Sequence, residues 1–165
     1  MENNQIVKSS GELITRMADI LSVTNRLIAR ADERRSIVQL DDHQLFCKGL
    51  NGCILSKKPK WAITSFHHPD PTLAHILQSL ELQEQIDLII TDINHPGLNG
   101  YEFAKKVRLE EVKYGSRIPI LVVSIVASYD IAKQGLEERL FDACLPKNAS
   151  CNSIVQTIEK MLWQL

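Results

Sequence analysis

The chain has 165 residues, 44% of them hydrophobic and 24% charged, and its formal net charge is −1. That length supports one domain with a sizeable core plus a short appendage, and the near-neutral balance gives no electrostatic support for nucleic-acid binding by this segment. No apolar stretch approaches the roughly 18–20 residues that a bilayer crossing needs, so no membrane association is expected.

Residues 1–8 are polar. Ser9 and Glu12 stand at capping-box spacing and open a helical pattern. Leu13, Met17, Ile20, Thr24, Leu27 and Ala31 then recur at helical steps, with Ile14, Leu21 and Ile28 widening the stripe. Residues 1–35 therefore read as an N-terminal helical extension and 36–165 as the main domain. The extension either docks on that domain, forms a homodimer seam or docks a partner. Thr24 and Ala31 make that seam a weak coiled coil, which favours docking.

Ser36–Leu40 is an apolar strand that runs into Asp41-Asp42. A helix over His43–Ser56 follows, with Leu45, Phe46, Leu50 and Ile54 as its apolar face and Gly49 and Gly52 lowering its helicity. Lys57-Lys58-Pro59-Lys60 is a solvated connection to a strand at Trp61–Phe66. Asp70-Pro71 supplies an N-cap and a first-turn proline for a helix carrying Leu73, Ile76, Leu77 and Leu80. The next strand, Ile86–Asp92, ends in a loop broken by Pro96-Gly97 and Asn99-Gly100. A helix from Tyr101 to Glu111, a strand at Ile118–Val123, a helix at Ile131–Arg139 and a strand at Ala143–Pro146 come next. Ser150 caps a last helix carrying Ile154, Ile158, Met161 and Leu162. Strands alternating with helices predict an α/β domain, a doubly wound parallel sheet covered on both faces.

Cys47, Cys53, Cys144 and Cys151 show no C-x-x-C or zinc-finger spacing, and no signal peptide precedes them. Reduced, partly buried thiols in a cytoplasmic protein are expected.

In open parallel sheets, chemistry gathers at the carboxyl ends of the strands. Four strand ends carry Asp41-Asp42, Asp92, Ser124 and Lys147. Clustered carboxylates repel unless a cation offsets them, and oxygen ligands of this kind hold Mg²⁺. Such a cation neutralises phosphoryl oxygens, Lys147 adds a point charge, Ser124 adds a hydroxyl donor, and Asp92 is the natural nucleophile. Each residue also has a plain reading: helix caps for Asp41 and Asp42, a turn for Asp92, a loop hydroxyl for Ser124 and a solvated charge for Lys147. Their joint placement at strand ends is what favours chemistry.

With these residues in view, the chain resembles the receiver domain of two-component response regulators. The matching pieces are Val38–Gly49 (VQLDDHQLFCKG), Asp87–Gly100 (DLIITDINHPGLNG), Ile120–Ser124 (ILVVS) and Leu145–Ser150 (LPKNAS). DDH-x-LF-x-x-GL and LPK-x-A-S resemble the branch that couples a receiver to a C-terminal helix-turn-helix. The resemblance covers roughly residues 36–164 and implies a flavodoxin-like sheet of order 2-1-3-4-5 with an extra N-terminal helix. It implies Asp92 as phosphoacceptor and Mg²⁺ held by Asp42 directly, by Asp41 through water, by Asp92 and by the Asn94 carbonyl. Ser124 and Lys147 are the implied phosphoryl contacts. The implied donor is a histidine kinase or phosphotransfer protein, and the domain is a switch rather than an enzyme. A second copy or partner is expected to read the switch through helix 4, strand 5 and helix 5, roughly Ile131–Leu162. A helix-turn-helix would normally follow the last helix. Truncation before such a domain and a single-domain regulator both remain open, while Met1 gives the start a native appearance.

Four features depart from the family pattern. Ile125 stands where a small residue usually admits phosphodonors. Cys144 replaces the aromatic that turns inward on activation, and Leu140-Phe141 replaces Gly-Ala. Asp42 and Asp92 are 50 residues apart, somewhat more than usual, and the excess is expected around Lys57–Lys60 and His67–Pro71. His95 replaces a common Met, His43 matches DDH, and His67-His68 sit in a polar turn; none of them makes a metal site. A phosphorylation-independent pseudo-receiver, serving interaction or dimerisation, is the alternative function. A phosphatase with an Asp nucleophile ranks last, because the loops look too short for a capping element.

Overall fold

In the computed structural model the described residues are 34–125 and 129–163, together with helical Arg16, Met17, Ile20, Leu21 and Thr24. The chain divides into two compact units, Met1–Arg34 and Arg35–Leu165. In the first, the Ser9–Glu12 capping box and the expected helix ends lie outside the described residues.

The second unit contains β1 (Ser36–Leu40), α1 (Gln44–Lys57), β2 (Ala62–Phe66), α2 (Pro69–Glu81), β3 (Leu88–Thr91), α3 (Gly100–Tyr114), β4 (Ile120–Ser124), α4 (Tyr129–Glu137), β5 (Ala143–Pro146) and α5 (Cys151–Trp163). The five strands form one parallel sheet of order β2-β1-β3-β4-β5. Leu40 pairs with Phe66 and Thr91, and Ser124 with Pro146. The carboxyl ends of these strands therefore share one edge of the sheet.

Strand periodicity of two explains why the apolar runs are nearly continuous. Val38, Leu40, Ile89, Ile120 and Val122 point into a core under α2, α3 and α4, built with Ile76, Phe103 and Val107. Their alternates Ile37, Leu88, Ile90, Leu121 and Val123 point the other way, against Leu50 and Ile54 of α1 and Ile154 and Ile158 of α5. Each such side chain, fully buried, contributes about 1.5–3 kcal/mol. One guanidinium fastens the edge of the sheet opposite the strand ends. Arg108 donates to Glu111 and the Ile118 carbonyl through Nη1, and to the Leu140 carbonyl and Asp142 through Nη2.

Local chemistry shifts several expected boundaries. α1 begins at Gln44, because His43 is its cap: its Nδ1 accepts the Phe46 N–H at 3.1 Å. Asp70 is not the cap of α2, since that helix starts at Pro69 after an extended His68, leaving Asp70 in the first turn where a carboxylate favours the positive helix end. α3 runs longer than expected, from the Asn99 cap to Gly115, which takes the left-handed conformation at φ 62° and closes the helix. Ser150 does cap α5, accepting the Ser153 N–H at 3.1 Å.

The expectation of reduced cysteines is corrected for two of the four. Cys53 of α1 and Cys151 of α5 are joined by a disulfide, with their Cα atoms 5.6 Å apart. α1 and α5 pack side by side on one face of the sheet, so two residues 98 positions apart in sequence become neighbours. Cys47 and Cys144 are free.

Candidate functional site

At the carboxyl edge of the sheet, Asp92 follows β3 directly and is 4% exposed. Its Oδ1 accepts the Ser124 hydroxyl at 2.6 Å and the Asn94 N–H at 3.2 Å, and its Oδ2 meets Lys147 Nζ at 2.7 Å. Burial acts to raise this carboxyl. The hydrogen bonds from Lys147, Ser124 and Asn94 outweigh it and hold the group below the ordinary 3.8. Asp92 is thus a carboxylate at neutral pH.

Lys147 Nζ also reaches Asp41 Oδ2 at 2.8 Å and lies 4.8 Å from the Phe46 ring centre. Burial acts to lower its pKa, but the two carboxylates prevail and raise it above 10.5. The lysine is therefore an internal cation that offsets two of the three acids. Its own backbone N–H donates to the Ser124 carbonyl at 2.9 Å, which ties the β5–α5 turn to the end of β4.

Asp41 and Asp42 are adjacent in sequence and differ in environment. Asp41 is 2% exposed, and its Oδ1 accepts the His43 N–H at 2.9 Å. Asp42 is exposed. One carboxylate oxygen from each of Asp41, Asp42 and Asp92 lies within 4.8 Å of the others. The donors are all hard oxygens and one of them faces solvent, which fits a divalent cation of the Mg²⁺ type. All six predicted positions, Asp41, Asp42, Asp92, Asn94, Ser124 and Lys147, lie at this edge.

Further residues support the site without having been singled out for it. Gly100 opens α3 against the Asp92 carbonyl, and its N–H donates to the Ile93 carbonyl at 2.9 Å. His67 places a ring nitrogen 2.8 Å from the Asp41 carbonyl. His95, buried, faces the Pro96 carbonyl at 2.8 Å and the His67 carbonyl at 3.0 Å. The ring nitrogens of both histidines thus lie against backbone carbonyls. Among the departures from the family pattern, Ile125 is 54% exposed beside Ser124, and Cys144 is half-buried with its thiol raised by burial. Phe141 is 2% exposed. Its bulk is accommodated because Gly135 of α4 has no side chain, and its ring packs edge-on against Tyr101.

Comparison with known proteins agrees with this fold. Residues 37–159 match the family of the response regulator receiver domain. The chain belongs to that family. A receiver domain protein from Clostridium thermocellum shares 15% identity and a TM-score of 0.66, over 79% of this chain and 95% of that one. A receiver domain protein from Methanospirillum hungatei gives 18% and 0.66, over 80% and 96%. The receiver domain of the histidine kinase CKI1 from Arabidopsis thaliana, in mutant form, gives 23% and 0.65, over 76% and 90%. A search of curated proteins finds no match. The chain is thus a phosphorylation-dependent receiver, a phosphorelay switch and not an enzyme that turns over an external substrate, and a histidine kinase or phosphotransfer protein is its partner class. No helix among the described residues is long and apolar enough to cross a membrane.

Proposed function

We propose that Asp92 is the phosphoacceptor, that Asp41, Asp42, Asp92 and the Asn94 carbonyl hold Mg²⁺, and that Ser124 and Lys147 receive the phosphoryl oxygens. The observation that carries this reading is the pair of short contacts on Asp92, to Ser124 at 2.6 Å and to Lys147 at 2.7 Å. A buried carboxylate held ionised by two donors is a nucleophile aimed at an incoming phosphoryl group. Attack by an Asp92 oxygen on the phosphorus of a phosphohistidine forms an acyl phosphate and releases the imidazole. Mg²⁺ held by Asp41, Asp42 and Asp92 would supply charge that offsets the phosphoryl oxygens. Lys147 keeps one charge on the transferring group, and Ser124 exchanges its bond with the carboxylate for one with a phosphoryl oxygen. That exchange biases two conformers of the domain.

The readout belongs to the face of α4, β5 and α5. Ile131 and Leu136 of α4 are exposed there and offer apolar contact to a second copy of the chain. The N-terminal helix is the other candidate for a homodimer contact. The DDH-x-LF and LPK-x-A-S signatures support a place among regulators that carry a helix-turn-helix. A histidine kinase or phosphotransfer donor supports a cytoplasmic setting for the reaction.

Intact-mass spectrometry after incubation with Mg²⁺ and acetyl phosphate tests the assignment. The wild type gains one phosphoryl group and Asp92→Asn gains none. No gain in either would overturn it and leave a phosphorylation-independent module.

A further inference from the structure

We propose that the Cys53–Cys151 disulfide is a thiol–disulfide exchange site that couples the redox state of the chain to the reactivity of the phosphoryl site. The inference rests on the phosphoacceptor reading above, and three observations carry it.

First, the bridge joins the two elements on which that site depends. Cys151 is the first residue of α5 and follows Lys147 by a short turn, in which the Ala149 N–H donates to the Pro146 carbonyl at 2.9 Å. Cys53 lies on α1, the helix that follows Asp41-Asp42 and sets Phe46 4.8 Å from Lys147 Nζ. The covalent link therefore fixes the lysine turn against the helix that carries its neighbour.

Second, the bridge is reachable. Both cysteines are only half-buried, and they line an open cavity of about 310 Å³ together with Leu45, Phe46, Lys147 and Ile154. The other two cysteines differ: Cys47 is buried with its Sγ against the Asp41 carbonyl, and Cys144, on β5, does not line this cavity.

Third, the contact between α1 and α5 does not depend on the bridge. Leu50 and Ile54 pack with Ile154 and Ile158, and Lys58 of the α1 cap pairs with Glu159 while lying near Trp61 and Trp163. Reduction therefore loosens the Lys147 turn without unfolding the domain. In a cytoplasmic setting, a disulfide is more often a redox device than a static staple.

The reductant is a dithiol. One of its thiolates attacks a sulfur of the bridge, forming a mixed disulfide and releasing one cysteine thiolate. The second thiolate of the dithiol resolves the mixed disulfide. Two electrons and two protons pass to Cys53 and Cys151, and the reductant leaves as its own disulfide.

The test uses the full chain with and without dithiothreitol. Redox state is read from N-ethylmaleimide adducts under denaturing conditions, and site reactivity from the rate of acyl-phosphate formation with acetyl phosphate and Mg²⁺. Reduction is expected to expose two further thiols and to slow labelling by roughly tenfold, less than the roughly hundredfold that misplacing a reacting group by about 1 Å can cost. A Cys53→Ser/Cys151→Ser variant labels at the slow rate and ignores dithiothreitol. Should that variant fail to fold, the reduced wild type supplies the same comparison. Equal rates in both redox states overturn the coupling and leave Asp92 as phosphoacceptor. Two free thiols at these positions before any reductant is added also overturn it. Absence of labelling in both states overturns the phosphoacceptor reading and the coupling with it.

Discussion

Gly100 lies so close to the Asp92 carbonyl that a Cβ at this position would overlap the carbonyl oxygen. The obstructing atoms are backbone atoms of Asp92 and Ile93, which cannot swing aside as a side-chain tip would. Gly100→Ala must displace either the start of α3 or the loop that aims Asp92. A destabilisation of about 1–3 kcal/mol is expected in urea denaturation, the usual cost of forcing extra bulk into a packed site. Labelling of Asp92 should slow as well, because the nucleophile moves with its backbone.

Lys147 is the cation between two nearly buried acids. Lys147→Met keeps the aliphatic bulk over Phe46 and removes the charge from Asp41 and Asp92. Loss of hydrogen bonds to charged groups should cost about 1.5–3 kcal/mol in the absence of divalent cations. Adding Mg²⁺ should recover part of that loss, since a cation held by the acids relieves the same repulsion. Denaturation midpoints with Mg²⁺ and with a chelator check both steps.

The pH dependence follows from the signs of the two shifts. The folded pKa of Asp92 lies below 3.8, so its contribution to stability is fully present above 3.8 and is lost as the pH falls through the lower folded value. That of Lys147 lies above 10.5, so its contribution is present below 10.5 and is lost as the pH rises through the higher folded value. Urea midpoints of the wild type should therefore fall more steeply at the acid end than those of Asp92→Asn. Equal acid slopes would contradict the assigned hydrogen bonds.

How much of this was legible in the sequence depends on the range of the interaction. The apolar runs of β1, β3 and β4 announce strands because both of their faces are covered, and the order of acids, hydroxyl and lysine follows from where those runs stop. Asp41 and Asp42 could not be told apart by environment, because only the fold buries one and exposes the other. Gly100 reads as a break in the loop after β3, whereas its reason is a close approach to a carbonyl eight residues earlier. His95 gives no local signal at all, since one of its partners is the carbonyl of His67. Cys53 and Cys151 carry no spacing motif, and their pairing requires α1 to lie beside α5.

Gly135 and Phe141 make a second pair that single substitutions should expose. A Cβ at Gly135 would overlap the Phe141 ring, and that ring is walled in by the core beneath α4. Gly135→Ala should cost about 1–3 kcal/mol through overpacking. In Phe141→Leu the colliding ring is gone, so adding Gly135→Ala to it should cost much less. A double-mutant cycle measured by chemical denaturation reads the difference as a coupling energy. Strict additivity would show that the Leu140-Phe141 departure is accommodated elsewhere.

The disulfide should matter to stability even though the α1–α5 contact persists without it. It closes a loop between positions separated by 98 residues, which restricts the unfolded chain far more than a short loop would. For loops near that length the chain-entropy treatment gives about 4.7 kcal/mol, while measured effects are typically about 2–4 kcal/mol. Reduced wild type and Cys53→Ser/Cys151→Ser should therefore both unfold at lower urea than the oxidised chain, and by similar amounts. Since α1 and α5 still bury Leu50, Ile54, Ile154 and Ile158 together, far-ultraviolet circular dichroism before the transition should be unchanged. A reduced chain as stable as the oxidised one would mean that the bridge constrains nothing the packing does not already hold.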